Sequence, residues 1–488
     1  MSSNLEPQIQ RLAEAIFQLG RINPFADARA QWEREALGGE EEETEDVQTA
    51  LGEVADELAG YLRQILSRQA ATPREREWYA GIVFYALRER YREAFIASHE
   101  ARLAASNEPP PPVAFYEDFV KDFEGYFRVC GPPMPEIETA PHLFACADQI
   151  VRAEEALAGS TRGDSVPIRR LRAAMWQSVF TFDALRHRRF LYRSVESVPT
   201  LVAAAVGSEG RRIAEALAVS GYLPFDPEIR RFVPGPITRY VPLHARSAAE
   251  LDEALYGLRK TDSGAFAAAS GVGGVVVLDG ITALSAAQQA ELSRVIETRT
   301  FRPADGGPPA AFDGRIVVLS DADLAAEVAS GAFDRELFLR MRGDNVVVPT
   351  LRQRLDDNKR ELHLLVRHAL IGTIPELYLD EVSQEVHDEI IKGRGNDWPW
   401  PGNLLELEQC VQTVLIEGRC APPDANVRLP APAGRFVALE QGTMSLAEVA
   451  YQYCRHVWEL QGTYKSAAEV LGIDWRTVKN YVEAAGPG

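Results

Sequence analysis

Gly273-Gly274-Val275-Val276-Val277-Leu278-Asp279-Gly280 decides the fold: a run of Val, Val, Val and Leu, opened by paired glycines and closed by a carboxylate. Such a run has no wet face, so it reads as a strand buried on both sides, the kind that helices cover in a parallel sheet. Thr200 to Ala205 and Arg315 to Leu319 have the same character, and helical stretches separate all three. A parallel α/β domain over residues 165–350 follows, because parallel strands need helical crossovers. Helical periodicity takes over from Leu351 to about Arg419.

Upstream the chain is helical. Ile9, Leu12, Ile16 and Leu19 share one helix face, as do Val47, Leu51, Val54, Leu58, Leu62 and Ile65. A third helix is expected from Pro73, in its first turn, past Trp78, Ile82, Tyr85 and Phe95. Between the first two lies Glu40 to Asp46, nearly all carboxylate, which reads as a solvated loop. Proline runs at Pro109 to Pro112 and around Gly131 to Pro135 read as semi-rigid spacers. They flank an aromatic helix with Phe115, Phe119, Phe123 and Phe127, whose stripe is read as core rather than as a ligand cage. Residues 1–150 are thus expected to form an all-α sensory or interaction domain.

The 488 residues suggest about three domains at roughly 150 residues each. With 52 Lys+Arg against 71 Asp+Glu the net charge is −19, which excludes coating of nucleic acid or anionic membrane by bulk charge; any DNA contact must be local. Cys130, Cys146, Cys410, Cys420 and Cys454 are scattered and odd in number, so neither a disulfide framework nor a zinc site is expected. No secretory leader and no membrane span is read, which points to the reducing cytoplasm.

At the other end, Ala421 to Gly434 is rich in Pro, Ala and Gly, and residues 421–442 are expected to be linker. Leu446, Val449, Tyr453, Val457 and Leu460 then line one helix face, followed by a short helix Tyr464 to Leu471, a turn Gly472-Ile473-Asp474, and a final helix from Trp475. Gly472 suits a left-handed position, Asp474 can cap the final helix, and Ala467-Ala468 are small enough for a close crossing. The segment Gln461 to Val482 resembles the Fis-type helix-turn-helix that ends bacterial enhancer-binding activators. The resemblance implies that residues 443–488 bind DNA, with Arg476, Thr477 and Asn480 facing bases and Lys465, Ser466 and Lys479 near phosphates. A helical oligomerisation module is the alternative. Four Lys/Arg against five Asp/Glu after residue 443 make one copy a weak binder, so a dimer is expected.

The centre of the chain resembles the AAA+ ATPase domain of activators that remodel sigma-54 RNA polymerase. It has Gly264-Ala265-Phe266-Ala267-Ala268-Ala269 at the GAFTGA loop that touches sigma factor, Gly273 to Asp279 at Walker B, and Trp400-Pro401-Gly402-Asn403-Leu404-Leu405-Glu406-Leu407 at WPGNxREL. Phe333 to Met341 and Leu351 to Arg354 match two further elements in order. The implied architecture is an AAA+ α/β subdomain at 165–350, a helical lid at 351–420, and a ring or dimer of copies.

The catalytic letters depart from the pattern. Without gaps, Gly207, Ser208, Glu209, Gly210 and Arg211 fall on the phosphate loop, with Gly210 where the lysine belongs. Asp279 keeps one Walker B carboxylate, but Gly280 replaces the one that orients water. Asp334 stands at the first arginine-finger position, with Arg335 one step on; Arg340 matches the second finger, Ser320-Asp321 sensor one and Leu405 sensor two. The sigma-contact loop has lost its Thr and second Gly. The expected reading is a DNA-binding regulator built on a pseudo-ATPase scaffold, with no cofactor needed, and ATP with magnesium as the lesser option. Two alternatives stay open: an active sigma-54 activator using Arg211 or Arg212 for the lost lysine, or an assembly partner of a competent paralogue.

Overall fold

The computed structural model describes residues 5–38, 47–67, 71–105, 111–127, 139–233, 238–244, 246–257, 264–303, 306–420, 446–461 and 463–483. The acidic run, Pro109 and Pro110 of the first proline-rich spacer, all of the second and the linker lie outside these. Two compact units are present, residues 1–422 and 423–488.

The first unit begins with α1 (Pro7–Leu19), α2 (Arg29–Ala36), α3 (Val47–Leu66), α4 (Pro73–Arg90), α5 (Arg92–Ala104), α6 (Tyr116–Phe127), α7 (Ala140–Gly159) and α8 (Val166–Phe180). Helix α4 opens with a capping box: Thr72 accepts from the Glu75 amide and Glu75 accepts from the Thr72 amide. The single helix expected from Pro73 breaks at Tyr91, which leaves helical geometry and restarts the chain as α5. The aromatic stripe of α6 is core: Phe119 is fully buried, and Phe115, Tyr116 and Phe119 pack around Phe144 of α7 at 5.0–5.3 Å between centroids.

After the short α9 (Ala184–Arg186) comes β1 (Thr200–Ala203), two residues shorter than expected, then α10 (Gly210–Val219). A hairpin of β2 (Phe225–Asp226) and β3 (Arg231–Phe232) leads to β4 (Arg239–Pro242), α11 (Ala248–Tyr256), α12 (Gly264–Ala268), β5 (Val275–Asp279) and α13 (Ala286–Thr298). Next are the pair β6 (Thr300–Phe301) and β7 (Ala310–Ala311), then β8 (Arg315–Ser320), α14 (Leu324–Ser330), α15 (Arg335–Met341) and β9 (Asp344–Val347). Four further helices complete the unit: α16 (Leu351–Asp357), α17 (Glu361–Leu370), α18 (Glu376–Arg394) and α19 (Asn403–Glu417). The main sheet has the order β4-β5-β8-β1-β9 with every pairing parallel.

Strand alternation splits this sheet between two cores. Val202, Val275, Val277, Val317 and Val346 join a core that runs continuously through α1, α3, α4, α6, α7, α8 and α10. Leu201, Val276, Leu278, Ile316 and Val318 face a second core with α11 to α15. The division expected at residue 150 therefore falls inside α7, which belongs to the same core as the sheet. Polar contacts reinforce the join. Arg152 of α7, fully buried, donates to the Val219 and Gly221 carbonyls at the end of α10, and Gln149 donates to Ser220 O at 3.1 Å. These are the carbonyls a helix end leaves without internal partners.

Cys410 of α19 and Cys420 beyond it are joined by a disulfide, Cα atoms 5.6 Å apart. This corrects the expectation that no cysteines pair: the chain reverses at Gly418, in left-handed geometry at φ 72°, and brings position 420 back beside α19.

The second unit holds helices Leu446–Gln461, Tyr464–Leu471 and Trp475–Glu483 around Val457, Ala467, Ala468 and Val478. Gly472 is left-handed at φ 67°, and the Arg476 amide donates to the Asp474 carboxylate at 2.9 Å. Cys454, 5% exposed, takes the inward place expected of Tyr453, which is 50% exposed. Among the described residues no helix is long and apolar enough to cross a membrane.

Two histidines near the α7 junction are held neutral. Burial first, then nearby positive charge, lowers His187 from 6.5 to about 3 and His99 to about 4. The unfolded chain binds protons at these rings below pH 6.5 and the folded chain does not, so stability present above 6.5 is lost as pH falls towards 4 and then 3. His187→Phe should remove up to about 1.4 kcal/mol of that loss per pH unit between 6 and 4. Urea unfolding at stepped pH checks it; an unchanged pH slope would mean that the buried ring is already charged.

Candidate functional site

The carboxyl ends of parallel strands are where ligands of open α/β sheets bind. Here β1 runs into residues 204–209, β5 ends at Asp279-Gly280 and β8 at Ser320-Asp321, with Ala203 beside Ser320 and Asp279 beside Leu319 in register. The structure thus brings together the phosphate-loop, Walker B and sensor-one positions. Their side chains are committed to one another and to neighbours.

Gly207 is left-handed at φ 75°, and its carbonyl accepts from the Leu404 and Leu405 amides at 3.0 and 3.3 Å. The Asn403 side chain donates to Val206 O at 2.8 Å, and a Cβ on Gly207 would collide with the Gly402 carbonyl. The first turn of lid helix α19 therefore rests directly on the loop. Ser208 turns inward, its hydroxyl donating to Ala205 O at 2.5 Å. Glu209, also left-handed at φ 64°, holds Arg212 at 2.5 Å. At Gly210 a Cβ would lie 2.5 Å from Ala204 Cβ and 2.7 Å from Leu319 Cδ1. The lysine position is filled by the chain's own packing.

Asp279 accepts a hydrogen bond from the Tyr240 hydroxyl of β4. Burial first, then this bond, raises the Tyr240 phenol, so the ring stays a donor. Arg211 lies 4.3 Å over the Tyr240 ring and pairs with Glu215 at 2.9 Å. Gly280 is left-handed at φ 80°, and a Cβ there would lie 2.9 Å from His244 Nδ1. Asp334 caps α15, accepting from the Leu337 amide at 2.7 Å. Arg340 pairs with Glu336 at 2.6 Å and Glu297 at 3.1 Å. Leu405 is half exposed. Tyr240, His244 and Leu319 are the residues that sequence reasoning missed; each reaches the site through tertiary contact from another strand or strand end.

The stretch Gly264 to Ala269 is not an exposed contact loop. Gly264 to Ala268 form α12; Ala265, Phe266 and Ala269 are buried, with Phe266 at 0% exposure. The Phe266 ring packs on Tyr256, Phe301 and Phe312 at 5.0–6.0 Å. With three ring neighbours in a core, Phe266 has the place of a packing residue in this structure. In the second unit Arg476, Thr477, Lys479, Asn480 and Lys465 are exposed together, while Ser466 is half-buried and its amide donates to the capping Thr463 hydroxyl at 3.2 Å.

The fold and strand-end site define an AAA+-type α/β chain followed by a helix-turn-helix-like unit. Residues 251–347 match the sigma-54 interaction domain. The transcriptional regulatory protein FlbD of Caulobacter vibrioides is 29% identical over 43% of this chain and 48% of its own length. ZraR of Escherichia coli, also a transcriptional regulatory protein, is 30% identical over 46% and 50%. NtrX of Brucella abortus, solved with ATP, aligns over 75% of this chain and 80% of its own at 17% identity and a TM-score of 0.40, a superposition too loose to bear on the site. The chain spans about half the length of the curated relatives it matches. Over its central region the chain is thus similar to sigma-54-type transcriptional regulators.

Substituting the residues that the resemblance implies at positions 280 and 210 should harm the fold. Gly280→Glu forces a side chain into left-handed backbone against His244, and Gly210→Lys overpacks Ala204 and Leu319; each should cost about 1–3 kcal/mol. Denaturant unfolding of both variants checks this, and undiminished stability would show that the space is available.

Proposed function

We propose that this chain is a DNA-binding transcription regulator whose AAA+ core is a scaffold that works without nucleotide hydrolysis. The observation that carries the reading is the closure of the Walker B carboxylate by Tyr240, with the lysine position packed shut at Gly210. Phosphoryl transfer relies on a cation at the terminal phosphates, metal held by carboxylate and hydroxyl, and a group that orients water. Asp279 is engaged by a phenol, Ser208 by a backbone carbonyl, and no carboxylate stands at 280, so the residues present do not fit ATP with magnesium. The rewired alternative is disfavoured by the same contacts, since Arg211 is tied to Glu215 and Tyr240, and Arg212 to Glu209 and the Gly159 carbonyl.

The DNA-reading part of the proposal rests on the joint exposure of Arg476, Thr477 and Asn480 on one short capped helix. Arg and Asn can each make paired hydrogen bonds to a base edge, while Lys465 and Lys479 act as point charges towards phosphate. Two copies acting together offset the acidic balance of one. A cytoplasmic setting belongs to the same reading.

Titration of the full chain with magnesium-ATP should give no saturable binding, no turnover and no rise in Tm. Turnover abolished by Asp279→Ala would overturn the scaffold reading.

Arg476→Ala should cost roughly 1–3 kcal/mol at a cognate site and relax base preference, whereas Lys479→Ala should weaken all sites alike. Footprinting of the full chain and of a chain ending at Gly434 separates reader from bystander. Equal protection by both would assign the terminal unit to assembly instead.

A further inference from the structure

We propose that Cys410–Cys420 is a reversible thiol–disulfide clip that fixes the point where the chain leaves the lid towards the C-terminal unit. The bond joins α19 to the tail just past its Gly418 cap; both cysteines are 3% exposed and belong to the lid core with Ile390, Val411, Val414 and Trp400. The tail is seated closely. A Cβ on Gly393 of α18 would collide with the Cys420 carbonyl oxygen, so the tail lies in contact with the last turns of α18 and only glycine fits beneath it. Beyond Cys420 begins the segment leading to the helix-turn-helix-like unit.

A second observation separates this pair from two cysteines that merely pack. Arg394 Nε donates to Cys410 Sγ at 3.5 Å, and the guanidinium, 8% exposed, stacks 4.8 Å from the Trp398 ring, with Glu406 Oε1 3.9 Å from Arg394 Nη2. Its Nη1 is buried with no hydrogen-bond partner. A cation held against one sulfur favours the thiolate, the form that attacks and the form that leaves in exchange.

Closure with a small-molecule disulfide such as oxidised glutathione balances in two exchanges. Cys420, on the tail, loses its proton and attacks one glutathione sulfur, forming a mixed disulfide and releasing one glutathione thiol. The Cys410 thiolate beside Arg394 then attacks Cys420 Sγ, forming the protein bond and releasing the second. The two protein thiols are oxidised, the glutathione disulfide is reduced, and two protons pass to the two released thiols. Reduced glutathione at high ratio runs the sequence backwards.

The test equilibrates the full-length protein in glutathione buffers of stepped ratio, blocks remaining thiols with an alkylating agent, and maps each cysteine by mass spectrometry. The expected result is a single two-electron transition assigned to Cys410 and Cys420 while the protein stays folded by circular dichroism, with slower amide exchange in residues 411–420 on the oxidised side. Trypsin cutting at the exposed Arg419 should leave the fragments linked until reductant is added. Arg394→Gln should slow closure by about threefold or more. If both thiols alkylate fully in the folded oxidised protein, if linkage appears only on unfolding, or if it does not reverse, the clip is overturned. An unchanged closure rate in Arg394→Gln removes Arg394 from it.

Discussion

Everything in the first unit depends on three strands that have no wet side. In β1, β5 and β8 successive residues enter different cores, so each strand must be covered twice: by α11 to α15 on one face, and on the other by the layer of α8 and α10, against which α7 packs. At about 25 cal/mol per Å² of apolar surface, leaving either face open would cost more than a domain's net stability. Because α7 packs in turn on α8 and α10, the N-terminal helices form an outer layer over that cover. The packing also explains why charged groups such as Arg152 are tolerated there: they end on helix carbonyls that need donors.

The same strands were legible beforehand because an unbroken apolar run has one structural meaning when glycines and a carboxylate bracket it. The turn at Gly472 and the Asp474 cap were legible for the same local reason. What stayed hidden was non-local. Gly264 to Ala269 has the lettering of a contact loop, yet Phe266 is held by Tyr256, Phe301 and Phe312, which lie 10 to 46 positions away. The Cys410–Cys420 pair was hidden because its ten-residue separation includes a helix end and a reversal. Tyr91 interrupts a helix without proline or glycine, so composition carried no sign of it.

Around the strand ends, departures from the family pattern are not scattered gaps. Gly210, Gly280 and Asp334 each fit a local role: close packing on Leu319, a left-handed step beside His244, and a helix cap. A site that had merely lost function would keep space where its lost side chains stood. Here the space is used by neighbours, and the lid's first turn is bonded to the Gly207 carbonyl. Loop and lid thus contact each other directly.

The doubly buried sheet sets a limit on how this protein can be taken apart. A fragment starting at residue 165, the cut that domain boundaries read from sequence would suggest, discards Leu143, Phe144, Ile150 and the rest of α7 while keeping the faces of α8 and α10 on which α7 packs. An uncovered apolar helix face of that kind recruits other chains rather than water. Such a fragment would collect as aggregate, and the smallest soluble piece containing the AAA+ fold must carry the N-terminal helices with it.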